Sequence, residues 1–386
     1  MVFISNKIGI FESLSKSINI VSFDVPFPAN YGGVIDVFYK LYWLKQAGVK
    51  IHLHCFHYGR AESIELAHLC ETVHYYPRQT GLLANLSFLP YTVKSRQSKA
   101  LEQNLLANDY PILFEVLHTC YLLKDKRFAN RKKIYRHSNI EHHYYQALAA
   151  KERDFVKKIF LKIEAFKLKH FEGILHHANV ILAVNQTDCD YFKQKYPQVE
   201  SHYLPSFHSN KQINIKAGKG DYILFHGNLS IAENYDAAMW LIENVFSKIH
   251  FHVIIAGLNP PEFLKIKIAK HKHLQLMANV DAEDMQQLIA NAQVHVLYTE
   301  QGTGLKLKLL NVLFQGRFII CNEAMLSGTG LKANDTFCIA NEAELYFKTI
   351  KAMMTMSVDH QHIDQRSQQL SRFDNEKNAA TLLSLI

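Results

Sequence analysis

Short β-branched apolar runs alternate along this chain with stripes of apolar residues at three- and four-residue spacing. The first pattern predicts buried strands and the second predicts helices packed on them. Residues 18–23 form the first run. It leads through Pro26-Phe27-Pro28-Ala29-Asn30-Tyr31-Gly32-Gly33 to a helical stripe of Val34, Val37, Phe38, Leu41 and Leu44. Gly48 supplies the stop, and Val49, Ile51, Leu53 and Cys55 then alternate as a second strand. Strand, glycine turn, helix and strand open a doubly wound, nucleotide-type domain. The Gly32-Gly33 pair admits a ligand close to the backbone at a helix start, and reads equally as a plain tight turn.

Further strands are predicted at 112–116, 133–136 and 180–184, with a helix N-cap region at 185–188. Residues 77–109 are less regular, a loop with Pro90-Tyr91, Lys94, Arg96 and Lys99 before a helix. Residues 143–178 read as one long amphipathic helical region. A basic amphipathic helix can lie on a membrane. Here Glu152, Asp154, Glu164 and Glu172 dilute the positive charge, so the region is expected to pack on the sheet.

Residues 204–220 lack apolar periodicity and carry Pro, Ser, Asn, Lys and Gly, which sets a linker at 206–220. The architecture then repeats. A strand at 221–225 runs into Gly227-Asn228-Leu229-Ser230 and a helix with Ala238, Leu241, Ile242 and Val245 on one face. A strand at 251–256 and a stripe of Met285, Leu288, Ile289 and Ala292 follow. The most informative stretch is 294–322, VHVLYTEQGTGLKLKLLNVLFQGRFIICN: a strand, the turn Gly302-Thr303-Gly304, a helix ending at Gly316 and a parallel strand. A positive helix end with Lys306 and Lys308 in its first turns suits a phosphorylated ligand. Domain limits follow as 1–205, with 1–17 an extension, then 221–372, then a terminal helix at 373–386.

Composition narrows the picture without choosing a ligand. A chain of 386 residues with 48% hydrophobic content suits two packed domains. The net charge of +8 favours anionic partners. Basic residues are not interleaved with aromatics on one element, so nucleic acid is not an expected partner. Six scattered cysteines without a CxxC pair predict reduced, buried thiols in a cytosolic protein. No apolar run reaches the ~18 residues of a membrane span, and no secretory signal is evident. The adjacent pairs His142-His143 and His176-His177 point apart on a helix, so no metal site is expected. His118, His137 and Glu141 follow the predicted strands at 112–116 and 133–136, at the sheet edge where ligands bind.

Four segments, 26–56, 136–149, 223–242 and 302–322, resemble the GT-B glycosyltransferases, in particular glycosyltransferase family 4. The resemblance runs from about Ile20 to the C-terminus. It implies an acceptor-binding N-terminal domain and a C-terminal domain for a nucleotide-diphosphate sugar. It implies retaining transfer without metal or cofactor, and a last helix crossing back to the N-terminal domain. The acceptor would be a glycan or lipid-linked molecule in cell-surface polysaccharide synthesis. The protein would be cytoplasmic, with possible peripheral contact at the inner face of the membrane. By the resemblance His118 contacts the transferred sugar, with His137 as runner-up and Glu141 beside them. The donor would meet Gly32, Gly33, Gly227, Asn228, Val280, Glu300, Gly302, Thr303, Gly304, Lys306, Lys308 and Asn311. Asn311 stands where the family commonly has a ribose-binding glutamate. Asn228 and the Glu233-Asn234 region stand where many members place Arg and Lys. A GT-B epimerase, a phosphorylase and a nucleotide-sugar binder that has lost activity are the alternatives. An epimerase needs an acid–base carboxylate pair that is not obvious here, and a phosphorylase is usually longer.

Overall fold

The computed structural model describes residues 16–81, 87–300 and 306–386. Its first sheet holds seven parallel strands: β1 (Ser17–Ser22), β2 (Lys50–His57), β3 (Thr72–Pro77), β4 (Ile112–Glu115), β5 (Lys133–Arg136), β6 (Val180–Ala183) and β7 (Glu200–Tyr203). Their order is β3-β2-β1-β4-β5-β6-β7. The second sheet holds β8 (Ile223–Asn228), β9 (Val253–Leu258), β10 (Leu274–Ala278), β11 (Val294–Leu297), β12 (Phe318–Cys321) and β13 (Phe337–Ile339). Its order is β10-β9-β8-β11-β12-β13, again all parallel. Both sheets therefore reverse direction of growth once, between β1 and β4 and between β8 and β11. These are the two topological switch points.

Helices cover both faces of each sheet, which is why the central strands are buried along nearly their whole length, polar residues such as Asn19, Glu115 and His295 included. Ile18 and Ile20 of β1 pack on Val37, Leu41 and Leu44, while Val21 faces the opposite core with Phe114 and Ile181. The helices that position the site are α1 (Gly32–Gln46), α2 (Glu141–Lys151), α3 (Phe155–Phe171), α4 (Ala232–Asn244), α5 (Leu307–Gln315) and α6 (Asn375–Ser384). Helix α6 packs against α1, with Ala379 and Leu382 in the N-terminal core. Lys16 Nζ donates to the carbonyls of Leu383 and Ile386 near its end.

The linker is laced to the second domain rather than loose. Asn214 N donates to Phe314 O, and Gly218 and Val358 form an antiparallel bridge. A helix at Ile64–Leu69 and strand β3 had no strong apolar period to announce them.

The region 143–178 differs from its reading as one helix packed on the sheet. It is two α-helices, α2 and α3, followed by a short turn of tighter helix at Glu172–His177. The break follows from Asp154, whose carboxylate caps α3 by accepting from Lys157 N. Glu164 and Glu172, counted as diluting the surface charge, are buried. Most of the large apolar side chains of α3 face outward instead.

Candidate functional site

The site is built where the two switch points face each other. On the N-terminal side, the turn after β1 delivers Gly32 and Gly33 at the start of α1. A Cβ on Gly33 would lie 2.7 Å from the Phe23 ring, so glycine is set here by close packing. Arg60 clamps the turn through the carbonyls of Val25 and Pro28 and the Asn30 side chain. Buried Arg96 Nε donates to Phe23 O at 3.0 Å. Gly32 lies next to the other domain: its notional Cβ is 4.0 Å from Leu307 of α5.

His118 follows β4, one turn past Val116, whose φ of 58° is the left-handed region for a β-branched residue. Such a conformation costs on the order of 1–3 kcal/mol and persists only where surroundings enforce it. Val116 N donates to Arg136 O at 2.9 Å, and the Thr119 hydroxyl donates back to Val116 O at 3.2 Å. The result aims His118 Nε2 to within 3.3 Å of Glu141 Oε2, at the N-terminus of α2. His118 keeps partial exposure while Glu141 is buried.

His137 is different. It is 0% exposed, edge-on to Phe192 at 4.9 Å and 3.3 Å from Asp188 Oδ2. Burial holds its imidazole down to about 3, so it stays neutral. His137 is thus enclosed between Phe192 and Asp188, and its place at a strand end did not reveal that its ring turns inward.

Beneath these groups lies a buried ion network that the sequence reading did not find. Lys40 of α1 donates to Glu115 Oε1 at 2.6 Å and to Asp36 Oδ2 at 3.2 Å. Arg136 grips Asp36 with two bonds of 3.1 Å and donates to the carbonyls of Leu204 and Pro205. Asp36 Oδ1 also accepts from Phe207 N at 2.7 Å. Burial works against the Asp36 carboxylate, but Arg136 and Lys40 together hold it down to about 2. The network ties the glycine-loop helix, the end of β4 and the start of the linker into one unit. Asp36 and Lys40 are i, i+4 charges on a helix, which in sequence look like a solvated pair.

On the C-terminal side, Gly227 ends the buried part of β8. Asn234 of α4 crowds it at 3.1 Å from a notional Cβ and donates to Asn228 O. The Asn228 side chain accepts from Ser230 N and Ser230 Oγ, closing the turn on itself. Lys306 holds the N-cap position of α5, and its side chain makes no capping hydrogen bond. Lys306 Nζ lies 3.0 Å from Glu233 Oε1, which also accepts from the Thr299 hydroxyl at 2.5 Å. Burial raises the Glu233 pKa, yet Lys306, Thr299 and Lys308 outweigh it and hold the carboxyl below its ordinary value. Lys308 Nζ donates to Asn234 Oδ1 at 2.8 Å and stands over the Phe225 ring. Burial is the main cause that brings its ammonium down to about 8, with Glu233 opposing and Lys306 adding to the shift.

The remaining sequence candidates spread out. Asn311 does not point free: its Oδ1 accepts from Asn210 of the linker at 3.0 Å. Gln315 donates to the same Asn210. Glu300 is exposed at the rim and pairs with Lys151 of α2 at 3.2 Å, across the cleft. Val280 follows the edge strand β10, half-buried against the second core. Gly302, Thr303 and Gly304 lie outside the described residues. The two faces sense each other: the Tyr144 phenol of α2 is pushed up by burial first, then by Glu141 and by Glu233 opposite. Among the described residues, no cluster of three metal-ligating side chains occurs. All six cysteines are free, five of them buried.

No family model matches the chain. An uncharacterized 44.6 kDa protein in the cps region of Klebsiella pneumoniae is 27% identical over 356 residues, 86% of this chain and 89% of that protein. Among solved structures, sucrose-phosphate synthase from Thermosynechococcus elongatus superposes with a TM-score of 0.65 at 13% identity, over 96% of this chain and 98% of that one. Anabaena HepE in complex with UDP and glucose gives 0.63 at 13% identity, over 96% and 100%. The pneumococcal O-GlcNAc transferase GtfA in complex with UDP and GlcNAc gives 0.64 at 8% identity, over 96% and 98%. The fold is GT-B: two Rossmann-like domains facing each other across a cleft.

Proposed function

We propose that this protein is a glycosyltransferase that moves a sugar from a nucleotide-diphosphate donor to a glycan or lipid-linked acceptor. The observation that carries the reading is the pairing across the cleft. Lys306 and Lys308 stand at the start of α5, whose Leu307 lies 4.0 Å from a notional Cβ on Gly32, and Glu233, which pairs with Lys306, acts on the same Tyr144 phenol as Glu141, which pairs with His118. The diphosphate is the group that needs them. When the anomeric C1–O bond to phosphate breaks, its electron pair goes to the departing oxygen, and negative charge grows there. A helix N-terminus and two ammonium groups stabilise that charge. The acceptor hydroxyl forms the new C1–O bond and passes its proton to the departing phosphate oxygen. Attack from the leaving-group face retains the anomeric configuration. His118, held by Glu141, is positioned to meet the transferred sugar. His137 stays enclosed between Phe192 and Asp188. None of these steps calls for a metal.

Glu233 occupies Lys306 in the ligand-free site, so donor phosphate must share or displace that contact. Complexes of HepE with UDP-glucose and of GtfA with UDP and GlcNAc, at the same fold, support a nucleotide-sugar donor. The cps-region relative supports a place in polysaccharide synthesis. A second reading, a nucleotide-sugar binder without turnover, is favoured by Asn311, which is uncharged and already engaged by Asn210. Thermal-shift titration with UDP, GDP, TDP and ADP tests the first step, because a ligand selective for the folded state raises the melting temperature. A shift with at least one, followed by sugar transfer with retained configuration in the product NMR spectrum, is expected. Binding without any turnover across acceptors would favour the second reading, and no shift at all would contradict both.

A further inference from the structure

Helix α3 is apolar on two faces. Its inward side buries Ala165 and Leu168 against the domain. Its outward side exposes Val156 at 75%, Phe155 at 73% and Phe166 at 65%, with Ile159, Phe160 and Ile163 between 40% and 49%. At about 100° per residue these six span an arc of roughly 140°, a continuous stripe about three turns long. A surface helix of a globular domain normally turns polar residues outward there, and contiguous exposed apolar stripes mark interaction sites.

The charges are sorted too. Lys157, Lys162 and Lys169 are exposed on α3, with Arg153 just before it. The acids are consumed elsewhere. Glu164 is buried, accepting from Tyr91 N at 2.7 Å and pairing with Lys167. Glu172 is buried against Lys195, Tyr191 and His142. Asp154 caps the helix, and Glu152 accepts from Asp154 N. What faces solvent is an apolar stripe edged by cations. Phe88 is fully exposed three residues before Tyr91, whose backbone N–H is bonded to Glu164 of this helix.

From this we infer that α3 and Phe88 form a docking face for an anionic phospholipid surface. The apolar stripe enters the acyl boundary, and the flanking lysines meet acidic headgroups. A protein partner would need a matching apolar groove lined with carboxylates, whereas a bilayer supplies both at once. The inference is independent of the glycosyl-transfer reading. It has a geometric consequence for it: α2, antiparallel company to α3, begins at Glu141 in the cleft and ends at Lys151 on its rim. Docking by α3 would hold the cleft beside the bilayer.

The test is co-sedimentation of the full chain with vesicles of phosphatidylcholine alone or with ~30% phosphatidylglycerol, at low and physiological salt. Binding to the anionic vesicles, weakened by salt and by omitting phosphatidylglycerol, is expected. The triple variant Phe155→Ser, Ile159→Ser, Phe166→Ser should lose binding at least about tenfold, since each buried apolar side chain contributes a substantial share. Replacing Lys157, Lys162 and Lys169 by Gln should weaken binding about fivefold per residue. These positions are exposed, so melting temperature should hold in both variants. Absence of binding by the native chain, or equal binding by the triple serine variant, would overturn the inference. So would a concentration-dependent dimer in sedimentation velocity that the serine variant abolishes, because the stripe would then be covered by a second copy.

Discussion

Burial leaves Lys308 with an ammonium held down to about 8, so the fold spends stability to keep a cation at the position proposed to meet the diphosphate. The unfolded chain would hold that proton up to about 10.4. Between pH 8 and about 10 the unfolded state therefore binds more protons, and stability rises with pH across that window. Lys308→Met should stabilise the protein at pH 7 by on the order of 1–2 kcal/mol and flatten the rise, read from urea midpoints across pH. The same variant should lose diphosphate binding. In the native protein, nucleoside-diphosphate affinity should be highest near pH 7 and fall above pH 8, which calorimetric titration would follow. Affinity that holds to pH 10 would mean that Lys308 does not meet the phosphates. At Val116, the left-handed φ of a β-branched residue stores strain two positions before His118. Val116→Gly should leave the melting temperature unchanged or higher, while lowering turnover by loosening the aim of His118. A drop in melting temperature with turnover intact would reverse that assignment. At the single-residue scale the sequence was only partly legible. Lys306 and Lys308 could be read from their place at a helix start. His137 could not be told from His118, because a strand end fixes where a residue stands and not which way its ring turns. Asp36 and Lys40 were hidden because an i, i+4 charge pair carries no mark of burial.

Elements were legible where apolar period and glycine agreed. Helix α1, the β8 turn and α5 were read from Gly33, Gly227 and Gly316. Glycines also explain how strand ends approach closely enough to form a site. A Cβ on Gly257 of β9 would stand 1.9 Å from Gly227 O, so the donor-side turn cannot accept a side chain there. Gly257→Ala should cost about 3 kcal/mol or more by forcing β8 and β9 apart, measured by chemical denaturation. A cost under about 1 kcal/mol would show that the two strands can part freely. Helix α3 shows the limit of pattern reading. Counting acids along 143–178 suggested a plain solvated helix face. The error lay in direction: Glu164 and Glu172 point inward, so their charges never reach the surface. Only the three-dimensional sorting of charge exposes the cationic edge.

At the scale of the molecule, two copies of one topology bring their switch points together, and this was foreseeable from the repeated strand–glycine–helix order. The polar ties that hold the copies were not, whereas the return of the last helix was expected from the resemblance. Asn210 spans to Asn311 and Gln315, Lys151 reaches Glu300, and α6 returns to α1. Each joins residues more than a hundred positions apart or belongs to a polar pair without period. Asn311, which stands at the family's ribose-binding position, is a strap between α5 and the linker. Helix α5 and the linker are thereby connected through Asn210. The claim on which all of this rests is that Lys308 stabilises a departing diphosphate opposite His118. Steady-state release of nucleoside diphosphate from nucleotide sugars, compared between the native chain, Lys308→Ala and His118→Ala, tests it directly. The expected result is turnover by the native chain and a loss of roughly 30- to 700-fold in kcat/KM for Lys308→Ala, equivalent to about 2–4 kcal/mol. His118→Ala should lower kcat more than donor affinity. Equal kcat/KM in the native chain and Lys308→Ala would contradict the account.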